Sequence, residues 1–138
     1  MLFQSLSLSG HYSYDNSRVL KAPNASDPSE VMGNHLLRRP VNSGTVVMNY
    51  SKNRFDGDIL GYFSGKRADS DFLETTGLPQ HDPGYARIDI AASYRVQRRT
   101  TVFFRVGNLF NRQYQDDLGF PALGREIRAG LKLKIGGE

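Results

Sequence analysis

The sequence predicts an all-β protein, an antiparallel meander of six long strands, and three features of its pattern lead to that prediction. Six stretches alternate between apolar and polar residues with a period of two, which is the period of side chains along a β-strand. Tight turns and long polar loops alternate between these stretches. No convincing helical periodicity lies between them, and the 14 glycines and 11% aromatic residues are typical of a chain rich in strands and turns.

The first strand shows the alternation without a slip, in the segment SLSLSGHYSYD from Ser5 to Asp15. Leucine, glycine and tyrosine occupy one parity, whereas serine, histidine and aspartate occupy the other. Because successive side chains of a strand point to opposite faces of the sheet, this strand separates a polar environment from an apolar one.

The other five stretches repeat this pattern. Their apolar parities carry Val46, Met48 and Tyr50; Phe55, Ile59 and Phe63; Ile88, Ile90 and Tyr94; Val102, Phe104 and Val106; and Ile127, Leu131, Leu133 and Ile135. Phe103 interrupts the polar parity of the fifth stretch. The predicted strands are residues 2–15, 43–53, 55–68, 85–97, 99–114 and 125–136, each paired with its neighbour in sequence.

The five connections differ in length in a regular order. Tight hairpins are predicted at Asn53-Arg54 and at 97–99, whereas the segments 16–42, 69–84 and 115–124 form long loops rich in Asn, Asp, Ser, Gly or Pro. The short turns therefore lie at one end of the predicted sheet and the long loops at the other.

Composition excludes several classes of protein. The net charge of +4 arises from basic residues spread along the chain with acidic residues between them, which argues against nucleic acid as a partner. The absence of cysteine rules out a disulfide scaffold or a zinc ribbon. No run approaches the roughly 20 apolar residues of a membrane helix, and no signal peptide follows Met1.

The apolar face of the sheet meets either lipid or a protein core. The strand lengths, the separation of short turns from long loops, and the aromatic residues near strand ends favour lipid. Two other possibilities stay open on the residues alone: a soluble β-sandwich or lipocalin-like binding module, and a small membrane barrel formed by two copies that pair into twelve strands.

The last third of the sequence resembles the closing hairpin of TonB-dependent outer-membrane receptors. The resemblance rests on a strand ending in Asn-Leu-Phe-Asn, a tyrosine shortly after, a loop with Gly-Phe-Pro and Gly-Arg, and a final alternating strand. The residues that carry it are Asn108, Leu109, Phe110, Asn111, Tyr114, Gly119, Phe120, Pro121, Gly124 and Arg125. The upstream segments LLRRPVNSG, GKRADSDF and PGYARIDIAASYRV are similar to earlier parts of the same family, in the same order.

The resemblance implies that residues 1–138 are the C-terminal segment of a plugged barrel of about 22 strands, with the plug domain absent. It implies an outer-membrane location in a Gram-negative bacterium, and a part in the energised uptake of an iron-siderophore or cobalamin. It implies three partners: outer-membrane lipid, the remainder of the barrel with its plug, and the TonB complex. Six strands leave two unpaired edges, so the chain is expected to be a fragment that does not function alone.

The resemblance also implies orientations for single residues. Leu6, Tyr12, Ile88 and Leu131 would face lipid, and the Arg, Asp and Ser parity would face a wet lumen. We expect Ile88, Ile90, Tyr94, Phe104, Leu131 and Leu133 to be exposed in the isolated chain, whereas a soluble fold would bury them. Ile135 stands where the family usually ends in phenylalanine, and we expect it to take that role.

The candidate sites give no sign of catalysis, of a cofactor or of a metal. His11, His35 and His81 share no ligand spacing, and the acidic residues of the long loops (Asp69, Asp71, Asp82, Asp116 and Asp117) lack a calcium-loop pattern. Arg38 and Arg39 fit either anchoring at a strand end or contact with an anionic phosphate. The family-motif residues are expected to shape the fold, and the ligand-binding residues stay unknown.

Overall fold

The computed structural model describes residues 4–21, 31–70, 79–117 and 119–136. Ten strands follow one another: β1 Gln4–Tyr14, β2 Asn42–Lys52, β3 Phe55–Ser64, β4 Arg67–Ser70, β5 Pro79–Asp82, β6 Tyr85–Gln97, β7 Thr100–Gly107, β8 Gln115–Asp117, β9 Phe120–Pro121 and β10 Glu126–Leu133. Within these residues no helix is long and apolar enough to span a bilayer.

One sheet of six strands dominates the structure, in the order β1-β2-β3-β6-β7-β10 and antiparallel throughout. This order confirms the predicted meander, because the short strands β4, β5, β8 and β9 form two separate hairpins inside the long loops. Asn53 adopts a left-handed φ of 58° in the β2–β3 turn, a conformation that asparagine tolerates better than most residues.

The register joins the apolar parities of all six strands on one face. One continuous row runs Leu8–Met48–Ile59–Ile90–Val106–Ile127 across the sheet. A second row runs Phe55–Tyr94–Val102–Leu131. We call the face that carries these rows the apolar face, and the opposite one the polar face.

The apolar face is not covered by any other described element. Val106, which is 4% exposed, is the one buried hydrophobic residue among those described, and Leu131 on the edge strand is 64% exposed. Of the six positions expected to be exposed, four are (Tyr94, Phe104, Leu131 and Leu133), whereas Ile88 and Ile90 are half-buried. Those two lie on β6, whose neighbours β3 and β7 shield them from both sides. A soluble domain with its core on this side would have buried all six.

Phe103 lies on the polar face, where it interrupts the polar pattern, and Gly130 explains its position. The two residues are partners across β7 and β10, and a Cβ at position 130 would stand 2.7 Å from the phenylalanine ring. The ring therefore occupies the space that a side chain on β10 would need. Phenylalanine packed over a cross-strand glycine is a recurrent way of stabilising that glycine in a sheet.

The predicted strand 55–68 is too long, because the chain leaves the main sheet at Ser64. Gly65 N donates to Asn42 O at 2.7 Å, and the β4–β5 hairpin then begins at Arg67. Gly84 brings the chain back with a φ of 79°, and a Cβ there would collide with the carbonyl oxygen of Ser64. Only glycine fits this crossing of the outgoing and returning chain.

The predicted strand 99–114 ends seven residues early, at Gly107. Asn108 and Asn111 both adopt left-handed conformations, with φ of 50° and 51°, so the chain turns out of the sheet. The last strand, predicted at 125–136, ends at Leu133, although Lys134 N still donates to Arg99 O at 2.9 Å. Residues 2 and 3 of the first predicted strand lie outside the described residues.

Candidate functional site

The long-loop end of the polar face gathers three tyrosines. Tyr62 lies on β3, Tyr85 begins β6, and Tyr114 precedes β8. The rings of Tyr85 and Tyr114 stack with centroids 3.9 Å apart, and the Tyr62 ring lies 5.7 Å from that of Tyr85. All three rings are half-buried. They form an aromatic surface on the side of the sheet that faces away from the apolar rows.

Polar contacts hold this tyrosine cluster in place. The Tyr85 hydroxyl donates to Asp116 Oδ1 at 2.6 Å, and Arg87 Nη1 donates to the Tyr114 hydroxyl at 2.8 Å. Arg87 also lies 3.3 Å from Asp89 Oδ1, two positions along the same face of β6. Aromatic stacking and charged hydrogen bonds together fix the orientation of the rings.

Asn108 joins this network to the motif that carries the family resemblance. Its backbone N–H donates to Asp89 Oδ1 at 2.8 Å. Its side chain donates to Arg112 O at 2.9 Å and to Leu123 O at 3.3 Å, and it accepts from Arg112 N at 2.8 Å. At 4% exposure this amide is buried, so it takes the place of water for three backbone groups of the loop.

Asn111 makes the second bracket of the motif. Its N–H donates to Asn108 O at 2.8 Å, and its side-chain oxygen accepts from Arg125 N at 2.8 Å. Gly124 lies so close to this oxygen that a Cβ would approach it to 2.9 Å. The two asparagines thereby connect the start of the β7–β10 loop with its end.

The other motif residues divide between packing and surface. Leu109 N donates to Ile88 O at 2.8 Å and extends the ladder past the end of β7, whereas Phe110 is exposed. Phe120 and Pro121 form β9, which pairs with β8. Gly119 N donates to the Gln115 side chain at 2.9 Å. The structure therefore brings the ends of the motif together, and their contacts are contacts within the loop.

A buried ion pair connects the two lateral loops, and the sequence did not predict it. Arg67 Nη2 lies 3.1 Å from Asp82 Oδ2, with side chains only 6% and 5% exposed. The same nitrogen donates to the carbonyl oxygens of Gln115 at 2.8 Å and Asp116 at 2.5 Å. Arg67 thus ties the β4–β5 hairpin to β8, some 48 residues away in sequence.

Arg38 adds the first long loop to this assembly. Its Nε lies 3.2 Å from the fully buried Asp69 carboxylate and 3.3 Å from Asp117, and its backbone N–H donates to Ala68 O at 2.7 Å. We call these contacts of Arg38 and Arg67 the loop network. Three long loops thus share one set of charged contacts, so strand-end anchoring describes Arg38 better than a free phosphate-binding cation.

Arg39 lies at the exposed edge of the first loop, 3.6 Å from Asp15. Ser17 donates to the Asp15 carboxylate through both its backbone N–H and its hydroxyl. These hydrogen bonds, assisted by the charge of Arg39, lower the pKa of Asp15 below its ordinary value. The pair closes the chain just after β1.

The remaining candidates do not converge. His35 pairs with Arg18 in an isolated bridge, while His11 lies on β1 and His81 on β5. In the described ranges no three His, Cys, Asp or Glu side chains are grouped as metal ligands, and Asp71 lies outside those ranges. The sequence pattern missed Arg67, Asp89 and the tyrosine pair Tyr62–Tyr85. The one available signal was a polar parity unusually rich in Arg and Tyr.

Comparison with known proteins agrees with this architecture. A family profile described as TonB dependent receptor-like, beta-barrel matches residues 2–109. The vitamin B12 transporter BtuB of Vibrio vulnificus is 35% identical over 80 residues, which cover 58% of this chain and 12% of that protein. The chain therefore spans about an eighth of this relative.

Solved structures share the fold at low sequence identity. The ferric-catecholate import receptor Fiu from Escherichia coli K12 superposes with a TM-score of 0.74 at 20% identity, over 93% of this chain and 18% of that receptor. The siderophore receptor PiuA from Acinetobacter baumannii gives a TM-score of 0.72 at 18% identity, over 93% of this chain and 19% of its own length. These relatives are a transporter and receptors rather than enzymes.

Proposed function

Because the chain belongs to the family of TonB-dependent receptor-like β-barrels, we propose that it forms one part of the wall of a transporter for a scarce ligand such as an iron-siderophore or cobalamin. Family membership places it in the outer membrane of a Gram-negative bacterium. The six strands supply about a quarter of a barrel of about 22 strands. The rest of the wall, the plug and the contact with TonB belong to other parts of such a receptor.

The observation that carries the proposal is the division of one sheet into two faces that stay in register across six strands. Lipid satisfies the apolar rows, since no described element covers them, and closure of the sheet satisfies its two edge strands. The soluble β-sandwich lacks its second layer among the described residues. The two-copy barrel of twelve strands would also satisfy both edges, and the family match favours the larger receptor.

The tyrosine cluster and the loop network are the parts of the wall that we assign to ligand entry. They lie at the long-loop end, which is the outer side in barrels of this class. The ordered loops would hold the aromatic surface of Tyr62, Tyr85 and Tyr114 at the mouth of the lumen. The motif residues Asn108 and Asn111 serve this arrangement by closing the last long loop.

A segment exchange tests the proposal. In Fiu, the segment that superposes on this chain is replaced by residues 1–138, and the membrane fraction is examined for a folded receptor that migrates differently before and after boiling. We expect a heat-modifiable receptor in the outer membrane. A matched exchange carrying Ile59→Arg, which places a charge in the central apolar row, should yield much less. Equal yields from both exchanges, or a product that stays soluble, would refute a lipid-facing sheet.

A further inference from the structure

A groove at the short-turn end of the polar face concentrates positive charge. Its volume is about 340 Å³, and its lining includes five cationic side chains and a single carboxylate. These residues are Arg95, Arg98, Arg99, Lys132, Lys134 and Asp56. The tyrosine cluster and the loop network lie at the opposite end of the strands, so this groove belongs to neither.

Strand register explains why the cations meet. Arg95 is paired with Thr101, and Thr101 is paired with Lys132 on the other side, so the three lie in one row on the polar face. A bulge between Arg95 and Gln97 and the tight turn at 98–99 then crowd further arginines at the same rim. The adjacent row on the opposite face is apolar, with Tyr94, Val102 and Leu131, so the groove opens away from lipid.

The charges in the groove are not balanced from within. Asp56, the one acidic side chain in the lining, accepts a hydrogen bond from Ser51 at 2.7 Å. Five like charges held around a small space repel one another, and an anionic occupant relieves that repulsion. Arginine side chains also offer paired donors that match the two oxygens of a carboxylate.

The spacing of the cations selects an extended peptide over a small anion. Arg95 and Lys132 stand on β6 and β10, which are separated by β7 and therefore lie about 10 Å apart, two inter-strand spacings. One phosphate or carboxylate cannot contact both. An extended peptide covers that distance in about three residues, so acidic residues spaced along it can contact cations of both strands.

We propose that this groove binds an extended acidic peptide segment supplied by the receptor's own polypeptide from inside the barrel. The inference rests on the proposed function, which makes the polar face the wall of a lumen. The chain spans only 18% to 20% of its solved structural neighbours, so most of such a polypeptide lies outside these residues and is available as the occupant.

Fluorescence anisotropy of labelled hexaglutamate with the purified 138-residue chain tests this site, with labelled hexaglutamine as the uncharged probe. We expect hexaglutamate to bind at least tenfold more tightly at 50 mM salt, and the difference to shrink at 500 mM salt because exposed charges are screened. The double variant Arg95→Glu/Lys132→Glu should weaken hexaglutamate binding at least tenfold. The milder Arg95→Gln/Lys132→Gln replaces it if the circular dichroism of the first variant departs from that of the parent.

A matched control changes the same charge elsewhere. Lys66→Glu/Arg112→Glu alters two exposed cations at the long-loop end, and binding should stay within twofold of the parent. Equal loss in both variants, or no preference for hexaglutamate, overturns the site. Partition into a detergent phase reports separately on the proposed function: partition without peptide binding refutes the groove alone, whereas peptide binding by a chain that stays in water refutes the membrane location alone.

Discussion

Replacing Asn108 should loosen the last long loop by an amount that the structure allows us to divide into two parts. Alanine removes three side-chain hydrogen bonds, two to Arg112 and one to Leu123. At about 1 kcal/mol each they amount to about 3 kcal/mol. Alanine must also adopt a φ of 50°, which costs about a further 1–2 kcal/mol. Asn108→Gly loses the same hydrogen bonds without that second cost.

Hydrogen exchange of the loop peptide that covers residues 108–125 measures both parts. We expect Asn108→Ala to lower the free energy of loop opening by about 4–5 kcal/mol, up to the stability of the loop itself, and Asn108→Gly to lower it by about 1–2 kcal/mol less. The β2–β3 hairpin of the same sample serves as an internal reference and should keep its protection. Equal effects of the two variants would refute the role of the backbone conformation, and an unchanged loop would refute the role of the amide.

Three further changes test other parts of the structure. Arg67→Met leaves the buried Asp82 carboxylate without its cation and should destabilise the lateral loops by about 3–5 kcal/mol in the same exchange measurement, whereas Arg39→Met at the exposed pair should change it by less than about 1 kcal/mol. In the exchanged receptor, Ile59→Arg should cost about 2–4 kcal/mol of unfolding free energy in a urea titration, and Leu131→Arg, nearer the short-turn rim, should cost less; a reversed order would contradict this depth assignment. Ile135→Phe should leave the amount of inserted receptor unchanged, and insertion of only the phenylalanine version would mean that this last strand lacks its assembly signal.

The register of the sheet shows how local patterns reached the correct topology. A one-residue slip between any two strands would have placed Ile59 or Ile90 among the polar side chains, so the alternation of each strand allowed only registers that keep the parities together. The tight turns at 53–54 and 98–99 then left antiparallel pairing of neighbours as the simplest arrangement. The predicted strand ends were wrong where the chain had to turn at Asn108 and at Ser64, because an alternating pattern continues through both points.

The sequence by itself determined the number of long strands, their two faces, the position of the short turns and the family, since each depends on residues close together in the chain. Tertiary structure alone decided the loop network and the tyrosine cluster. Arg67 finds its partners in Asp82 and in two carbonyl oxygens of β8, and a carbonyl leaves no mark in a sequence because every residue carries one. Tyr85 and Tyr114 stack only because the loop between β7 and β10 folds back over the end of β6. Contacts of this kind depend on the path of the chain in space, which alternation along a strand does not encode.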